Sequence, residues 1–396
     1  MVKFSMLLKK RISIIGSTGS VGVSAYNVVQ QNKSIFEVEA LVAKSNYKSL
    51  AQQAKDLQAK MVFIEDESKY LNLKEELQGY NIKVFAGKEE IIKFIEKDNT
   101  SDTILICSSG YESIPYFYGS LKGSKNIAMA NKEAIVCGGE FATDFINKSH
   151  AKVIPVDSEH SALFQSMQGK KEDIDNIVIT ASGGSFVDYS LKDLENVTKE
   201  QALKHPTWNM GAKITIDSST LMNKALEVIE ASYLFDIPEC QIEVLIHRQS
   251  ILHGGVNYKD GSFIGHFSYP SMEIPVAYGL FYPHRINTSV KRLNLSEISQ
   301  LKFEELNEER FKAISLAREV LRLKNNYSCA FNVANEIAVE AFLNDKINFN
   351  KIIDVVEYTL NKITPCKINS ISDIEQSVEI SKVIALEYIN KLVFKR

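Results

Sequence analysis

No charge of either sign dominates this chain. Its 396 residues carry 46 Lys and Arg against 49 Asp and Glu, a net charge of −3. Such a balance supplies no general footprint for nucleic acid or for an anionic membrane surface. Cysteine is sparse: the five residues Cys107, Cys137, Cys240, Cys329 and Cys366 are scattered and form no CxxC pair. That argues against a disulfide framework and a zinc knuckle, and fits a reducing compartment. No run reaches the ~18 apolar residues of a membrane span. Met1–Arg11 lacks the apolar core and cleavage site of a secretory signal, so the cytoplasm is the expected location. Tryptophan is almost missing. The single Trp208 lies where six of the seven histidines crowd, between His160 and His284.

What is present is ordinary and sufficient for a core, with 45% hydrophobic and 24% charged residues. At roughly 150 residues per domain, two or three domains are expected. Up to residue 156, short apolar runs alternate with helical patterns. Ile12–Ile15, Glu37–Ala43, Met61–Ile64, Thr103–Cys107, Ile127–Ala130 and Val153–Val156 read as strands. Ser49–Lys60 and Glu89–Glu96 space apolar residues three or four apart. That alternation predicts an α/β, doubly wound parallel sheet. Beyond Asp157 the texture changes. Ile177–Thr180, Ile214–Ile216 and Glu243–Ile246 read as strands, and Val256–Tyr258 with Phe263–Phe267 as a hairpin across an Asp-Gly turn. One long helix is expected from Ser219 to Tyr233. Residues 183–211 are polar and weakly periodic, as functional loops often are. A linker-like stretch from Arg285 leads to four helical patterns, Glu309–Leu323, Ala330–Asn344, Asn350–Asn361 and Ile374–Leu392, which predict a small bundle.

Gly16-Ser17-Thr18-Gly19-Ser20-Val21-Gly22 follows the first strand and opens a helix. The spacing is GxxGxxG, but its demands match those of a dinucleotide site: a tight turn, close approach to a pyrophosphate, and a helix packed near its strand. A bare strand–helix turn is the competing reading. At the end of the second strand, NAD sites place an acidic residue for the ribose. This chain has Lys44-Ser45-Asn46, which suits the 2′-phosphate of NADP unless Lys44 is only a solvated surface lysine.

Val153–Val156 runs into Asp157-Ser158-Glu159-His160. If the extended backbone continues, Asp157 and Glu159 share a face, and a hard cation such as Mg²⁺ or Mn²⁺ would relieve their repulsion. A helix cap with an acidic first turn is equally compatible with the spacing. Asn223, Lys224 and Glu227 share a helical face; a plain surface ion pair is the alternative. Ser182 lies in Thr180-Ala181-Ser182-Gly183-Gly184-Ser185, and Ser218 in Asp217-Ser218-Ser219-Thr220 at the start of the predicted helix. With Asn223 and Lys224 these could cradle a phosphate, unless Ser218 and Ser219 merely cap the helix. His205-Pro206-Thr207-Trp208-Asn209-Met210-Gly211 would suit a lid over a substrate. By spacing alone His253 reads as a structural histidine.

In GSTGSVG (16–22), ANKE (130–133), PVDSEHSA (155–162), TASGGSF (180–186), HPTWNMG (205–211), IDSSTLMNKALEVIEA (216–231) and FNVANEIAVEAF (331–342) the chain resembles the 1-deoxy-D-xylulose-5-phosphate reductoisomerases over nearly its whole length. The resemblance implies a Rossmann-like NADPH domain (1–156) and a central α+β domain for catalysis and dimerisation (157–285), with a flap at about 183–211. A linker (286–307) and a C-terminal α-helical bundle (308–396) complete it. It implies a homodimer with a sugar phosphate as substrate, and no nucleic acid or membrane as partner. The implied reaction is NADPH- and metal-dependent conversion of 1-deoxy-D-xylulose 5-phosphate to 2-C-methyl-D-erythritol 4-phosphate, a step in non-mevalonate isoprenoid precursor biosynthesis.

Residue by residue, it assigns Asp157, Glu159 and Glu227 to Mg²⁺ or Mn²⁺. Ser158, Ser182, His205, Trp208, Met210, Ser218, Asn223 and Lys224 go to the substrate. Gly16, Thr18, Gly19, Ser20, Val21, Lys44, Asn46, Asn131, Glu133 and Met272 go to NADPH, and Lys132 and His253 to the reacting centre. Two features depart from the pattern. Arg248 stands where Pro is expected, and Gly254-Gly255 is unusual; both flank His253. The competing readings are another two-domain NADP oxidoreductase, such as a semialdehyde or homoserine dehydrogenase, of which a reactive cysteine would favour the semialdehyde type, and a non-catalytic dinucleotide sensor.

Overall fold

The computed structural model describes residues 9–190, 192–204, 211–308 and 310–393. The aliphatic runs become strands covered on both faces, as a parallel sheet requires. Ile12, Ile14 and Ile15 of β1 (Lys10–Ile15) are fully buried. β2 (Phe36–Ala43), β3 (Met61–Ile64), β4 (Lys83–Ala86), β5 (Thr103–Ile106), β6 (Asn126–Met129) and β7 (Lys152–Pro155) complete the sheet. Their order is β4-β3-β2-β1-β5-β6-β7, and every neighbouring pair is parallel. The chain builds outward from β1 to β4, then returns to the far side of β1 with β5. That reversal opens a crevice beyond the carboxyl ends of β1 and β5, where doubly wound sheets take their ligands. β4 is half-exposed and has no counterpart among the expected strands.

The chain falls into two compact units. The first comprises Met1–Asn131, Phe145–Ser161 and Ser271–Lys291; the second comprises Lys132–Asp144, Ala162–Pro270 and Arg292–Arg396. The expected boundaries at 156 and 285 therefore differ from the packing. Helix Glu273–Phe281 joins the sheet of the first unit because Val276, Ala277 and Leu280 are apolar and complete its core. A Cβ on Gly279 would lie 2.9 Å from Val156 Cγ2. Only a glycine lets the helix lie that close.

The second unit holds β8 (Ile174–Ala181), β9 (Ile242–Ile246), β10 (Leu252–Tyr258), β11 (Phe263–Phe267) and β12 (Glu304–Glu305). Their order is β11-β10-β8-β9-β12, with only β8 and β9 parallel. β10 and β11 form the expected hairpin. Gly255 opposes Gly265 across it, and the Phe263 ring covers both: a Cβ would come within 2.7 Å of the ring at Gly255 and 2.8 Å at Gly265. The unusual Gly255 thus makes room for an aromatic ring. β12 lies inside the stretch read as a linker.

Two expectations fail here. Ile214–Ile216 is not a strand but part of helix Ala212–Ser219; a three-residue apolar run cannot distinguish the two. The helix expected from Ser219 is interrupted at Leu221 (φ 59°) and restarts as Met222–Phe235. Four further helices, Lys312–Leu323, Tyr327–Leu343, Lys351–Lys362 and Ile371–Val393, lie within three residues of their expected starts. Tyr327–Leu343 is their hub and is buried along most of its length.

Candidate functional site

In the first unit the glycine-rich turn sits at the carboxyl end of β1. Gly16 has φ 91°, and a Cβ there would lie 2.6 Å from the Ser108 amide nitrogen in the loop after β5. A Cβ on Gly22 would overlap the Gly16 carbonyl and Ser17. Two of the three glycines therefore answer real steric demands. Helix Ser20–Gln31 begins behind Gly19 with no side chain capping its first N–H groups. Those oriented donors suit an anionic group. Thr18 is half-buried, Val21 likewise, and Gly19 and Ser20 are exposed.

Lys44 and Asn46 follow β2. Lys44 Nζ lies 2.5 Å from Glu112 Oε2, with both side chains exposed. Asn46 caps helix Tyr47–Leu57 by accepting from the Ser49 N–H at 3.2 Å. Asn131 is buried after β6 and donates to the Ser108 carbonyl at 3.0 Å. Met272 packs, half-buried, on the same core. Ser108–Gly110, the far wall of this crevice, was missed. The sequence signal was Gly110, whose φ is 82°, but only the fold reveals that the loop's Ser108 packs against Gly16.

Asp157 and Glu159 follow β7. The extended backbone does not continue: β7 ends at Pro155, and helix Ser158–Ser166 begins at once. Asp157 Oδ1 accepts from the Ser158 N–H at 2.9 Å, and Ser158 Oγ donates to Glu159. The cap with an acidic first turn is the local geometry, and strand alternation is not what relates these carboxylates. Asp157 Oδ2 also lies 4.0 Å from Nδ1 of the buried His160.

In the second unit Glu227 is 1% exposed and carries a dense polar network. Lys132 Nζ lies 3.1 Å from Glu227 Oε1 and 2.9 Å from Asn223 Oδ1. Lys224 pairs with the other carboxylate oxygen, and Asn223 Nδ2 donates to Glu227. The spacing read as a surface ion pair is therefore buried. One carboxylate faces two ammonium groups, which offset the cost of burying it as an anion. Glu133 is buried beside Lys132, at the start of helix Glu133–Gly138.

Ser218 and Ser219 lie at the last turn of helix Ala212–Ser219, not the first turn of the next. Ser219 Oγ donates back to the Thr215 carbonyl at 3.0 Å. Both the helix-cap reading and the dipole argument for these serines therefore fail. Proximity remains: a Cβ on Gly184 (φ 68°) would lie 2.9 Å from the Ser218 carbonyl carbon. Ser182, at the end of β8, thus belongs to a loop packed directly on Ser218. His253, on β10, is 5% exposed, with Nε2 2.9 Å from Ser268 Oγ. Burial above all, then the charges of Lys224 and His247, push its pKa down to about 4 against the opposing Ser268 bond. It is a neutral imidazole at pH 7. His205, Trp208 and Met210 lie outside the described residues.

Three family patterns match: 1-deoxy-D-xylulose 5-phosphate reductoisomerase over residues 12–139, its C-terminal domain over 153–235, and the DXP reductoisomerase C-terminal domain over 267–383. The enzyme of that name from Phocaeicola vulgatus is 40% identical over 97% of this chain and 100% of its own. The chain belongs to the 1-deoxy-D-xylulose 5-phosphate reductoisomerase family. The Chlorobium phaeovibrioides reductoisomerase is 43% identical over 89% of this chain and 92% of its own. Among solved structures, the Zymomonas mobilis reductoisomerase in complex with NADPH superposes with a TM-score of 0.90 at 36% identity, covering 96% of this chain and 99% of that one. A reductoisomerase complexed with NADPH, fosmidomycin and magnesium gives 0.92 at 33% identity, covering 97% and 99%.

The reductoisomerase likeness covers both units, so it weighs against a bare dinucleotide sensor. The semialdehyde alternative also loses its nucleophile in the most relevant place. Burial pushes the Cys107 thiol, next to the glycine turn, up to about 12, where almost no thiolate exists at neutral pH.

Proposed function

We propose that this chain converts 1-deoxy-D-xylulose 5-phosphate to 2-C-methyl-D-erythritol 4-phosphate, using NADPH and a divalent cation. The observation that carries the reading is the buried Lys132–Glu227–Lys224–Asn223 cluster, set in a chain of this family. It combines a hard oxygen ligand with two ammonium groups. NADPH suits the first unit because Gly16 and Gly22 let the turn pack tightly on its own backbone while helix Ser20–Gln31 begins with no side chain capping its N–H groups, oriented donors that suit a pyrophosphate. Gly16, Thr18, Gly19, Ser20 and Val21 would approach its pyrophosphate, and Lys44 and Asn46 the 2′-phosphate end. Asn131, Glu133 and Met272 would contact the remainder.

Asp157, Glu159 and Glu227 would hold Mg²⁺ or Mn²⁺, all hard oxygen donors that suit such ions. When bound, the ion supplies Lewis-acid polarisation and a template for the substrate's keto and hydroxyl oxygens. Lys132 and Lys224 balance the charge of Glu227 from the protein side. Ser182, Ser218, Asn223 and Lys224, with His205, would anchor the substrate phosphate. That remote binding energy aligns the carbons whose bond is broken and remade before hydride transfer. Ser158 would steady the substrate oxygens, and Lys132 would supply a positive charge at the reacting centre. His253, neutral and hydrogen-bonded to Ser268, would line the site without adding charge. Trp208 and Met210 belong to the segment that would cover it.

A homodimer is part of the same reading. β11 is the edge of its sheet and leaves Phe263, Ile264 and Phe267 about two-fifths exposed; an apolar edge strand is a pairing surface. The cytoplasm is the proposed location, and among the described residues no helix is long and apolar enough to cross a membrane. The test is NADPH oxidation on adding the sugar phosphate, with and without EDTA. Turnover that EDTA abolishes and added Mg²⁺ restores is expected; nucleotide binding without oxidation would leave a sensor.

A further inference from the structure

The loop that follows β8 is held in place by side chains far away in sequence. Its carbonyls at Phe186, Val187 and Tyr189 lie outside any strand or helix, where the chain turns through Gly183 (φ 90°) and Gly184 (φ 68°), and Phe186 O also accepts from the Tyr189 N–H at 3.0 Å. All three accept from one guanidinium. Arg310 Nη2 donates to Phe186 O at 2.8 Å and also to Tyr189 O, while Nη1 donates to Val187 O. Arg310 is itself fixed: its backbone N–H donates to Asn307 Oδ1 at 3.0 Å, and its guanidinium stacks on Phe311. Another arginine grips the same loop from outside. Arg248, the residue that replaces an expected proline, binds both oxygens of Asp188 at 2.7 and 2.8 Å and reaches Glu304 on β12 at 2.9 Å. Phe186 is buried against the ring of Phe349.

We infer that Arg310 is a positioning residue for phosphate binding: it fixes the loop 182–190 so that Ser182, Gly183 and Gly184 stay packed against Ser218. The inference rests on the reading of Ser182, Ser218, Asn223 and Lys224 as the phosphate anchor. The physical link is short. Gly184 has no room to move toward Ser218, since even a Cβ would strike its carbonyl group. Two to five residues on, the loop is pinned at three carbonyls, so the segment between has fixed ends. A lysine cannot substitute, because a single ammonium is a point donor, whereas the planar fork spreads its donors over several acceptors. Arg248 acts in the same sense but more weakly, since its partners Asp188 and Glu304 are exposed and ion pairs there contribute little.

The experiment uses the full chain with inorganic phosphate as the probe, titrated by competition against the sugar phosphate. Arg310→Lys is expected to weaken phosphate binding and raise the KM for the sugar phosphate by roughly tenfold, the scale of a small misplacement, while the KM for NADPH stays unchanged. Asp188→Asn, on the exposed surface and so without risk to folding, is expected to move phosphate affinity the same way by about twofold. A lowered melting temperature with unchanged phosphate affinity, or equal rises in both KM values, would reduce Arg310 to a structural residue. Ser218→Ala separates the two readings. If it weakens phosphate binding while the Arg310 and Asp188 variants do not, the anchor stands and the positioning role is overturned. If it also has no effect, the anchor reading falls and takes this inference with it.

Discussion

Two glycine turns follow buried strands in this chain, and they are built differently. Gly16–Gly22 is held by close backbone packing: Gly22 backs onto Gly16, the Gly16 and Ser17 N–H groups donate to the Val42 carbonyl of the neighbouring strand, and the helix that starts at Ser20 leaves its first donors uncapped. Gly183–Gly184 has the same left-handed backbone, yet its loop is anchored by Arg248 and Arg310, each more than fifty residues away. A glycine turn can thus be held by backbone packing against its own sheet or by an arginine clamp from far along the chain. The backbone-packed kind is legible in sequence, because its glycines mark it. The clamped kind resembles any polar loop until the fold brings its partners in.

The strongest test disables one turn's chemistry and leaves the other's untouched. Glu227→Gln removes the carboxylate that two buried ammonium groups face. Turnover should fall by at least about 10³-fold, with NADPH titrations unchanged; retained turnover would remove Glu227 from the metal set. The mirror experiment is Gly16→Ala. Its φ of 91° and the Ser108 nitrogen 2.6 Å from the new Cβ should cost about 2–4 kcal/mol. Thermal unfolding and NADPH titration should both register the change, while phosphate affinity stays put. Lys224→Ala should weaken phosphorylated ligands by roughly a hundredfold, read by competition binding. An equal loss for unphosphorylated analogues would mean that Lys224 does not serve the phosphate.

A pH experiment isolates the second unit. His253 titrates near 6.5 when exposed, and burial lowers it to about 4. Between those values the unfolded chain binds a proton that the folded one refuses. Stability is therefore fully present above pH 6.5 and is lost as pH falls toward 4, by on the order of 3 kcal/mol. His253→Gln should flatten that slope in urea midpoints taken at several pH values. Identical slopes in both proteins would place the titration elsewhere.

The parallel strands, the hairpin and the four C-terminal helices were legible because their apolar spacing is local. The glycine turn was legible for the same reason. Helix Ala212–Ser219 was not, since Ile214–Ile216 is too short to reveal its period. Ser218 was expected at the start of a long helix, and Leu221 breaks the helix that should have presented it. Arg310 was invisible: its meaning lies wholly in three carbonyls of another segment. The membership of Glu273–Phe281 in the first unit was invisible too, because an apolar helix does not announce which sheet it will cover.

The weakest effect concerns Lys44, which lies outside the glycine turn at the end of β2. Lys44 stands where a 2′-phosphate would be read, yet Glu112 already occupies its ammonium at 2.5 Å. Both side chains are exposed, so the pair contributes no more than about 1 kcal/mol. A 2′-phosphate, with more negative charge than a carboxylate, can displace it. Lys44→Gln should therefore weaken NADPH roughly tenfold and leave NADH alone, a difference of about 1.4 kcal/mol. Glu112→Gln should act the opposite way, tightening NADPH by about two- to threefold because Lys44 no longer has to leave a partner. Binding of both nucleotides by fluorescence at low and high salt measures this, since an exposed charge effect must fade as salt rises. If Glu112→Gln shifts NADPH and NADH equally, Lys44 is a surface lysine with no part in reading the 2′-phosphate.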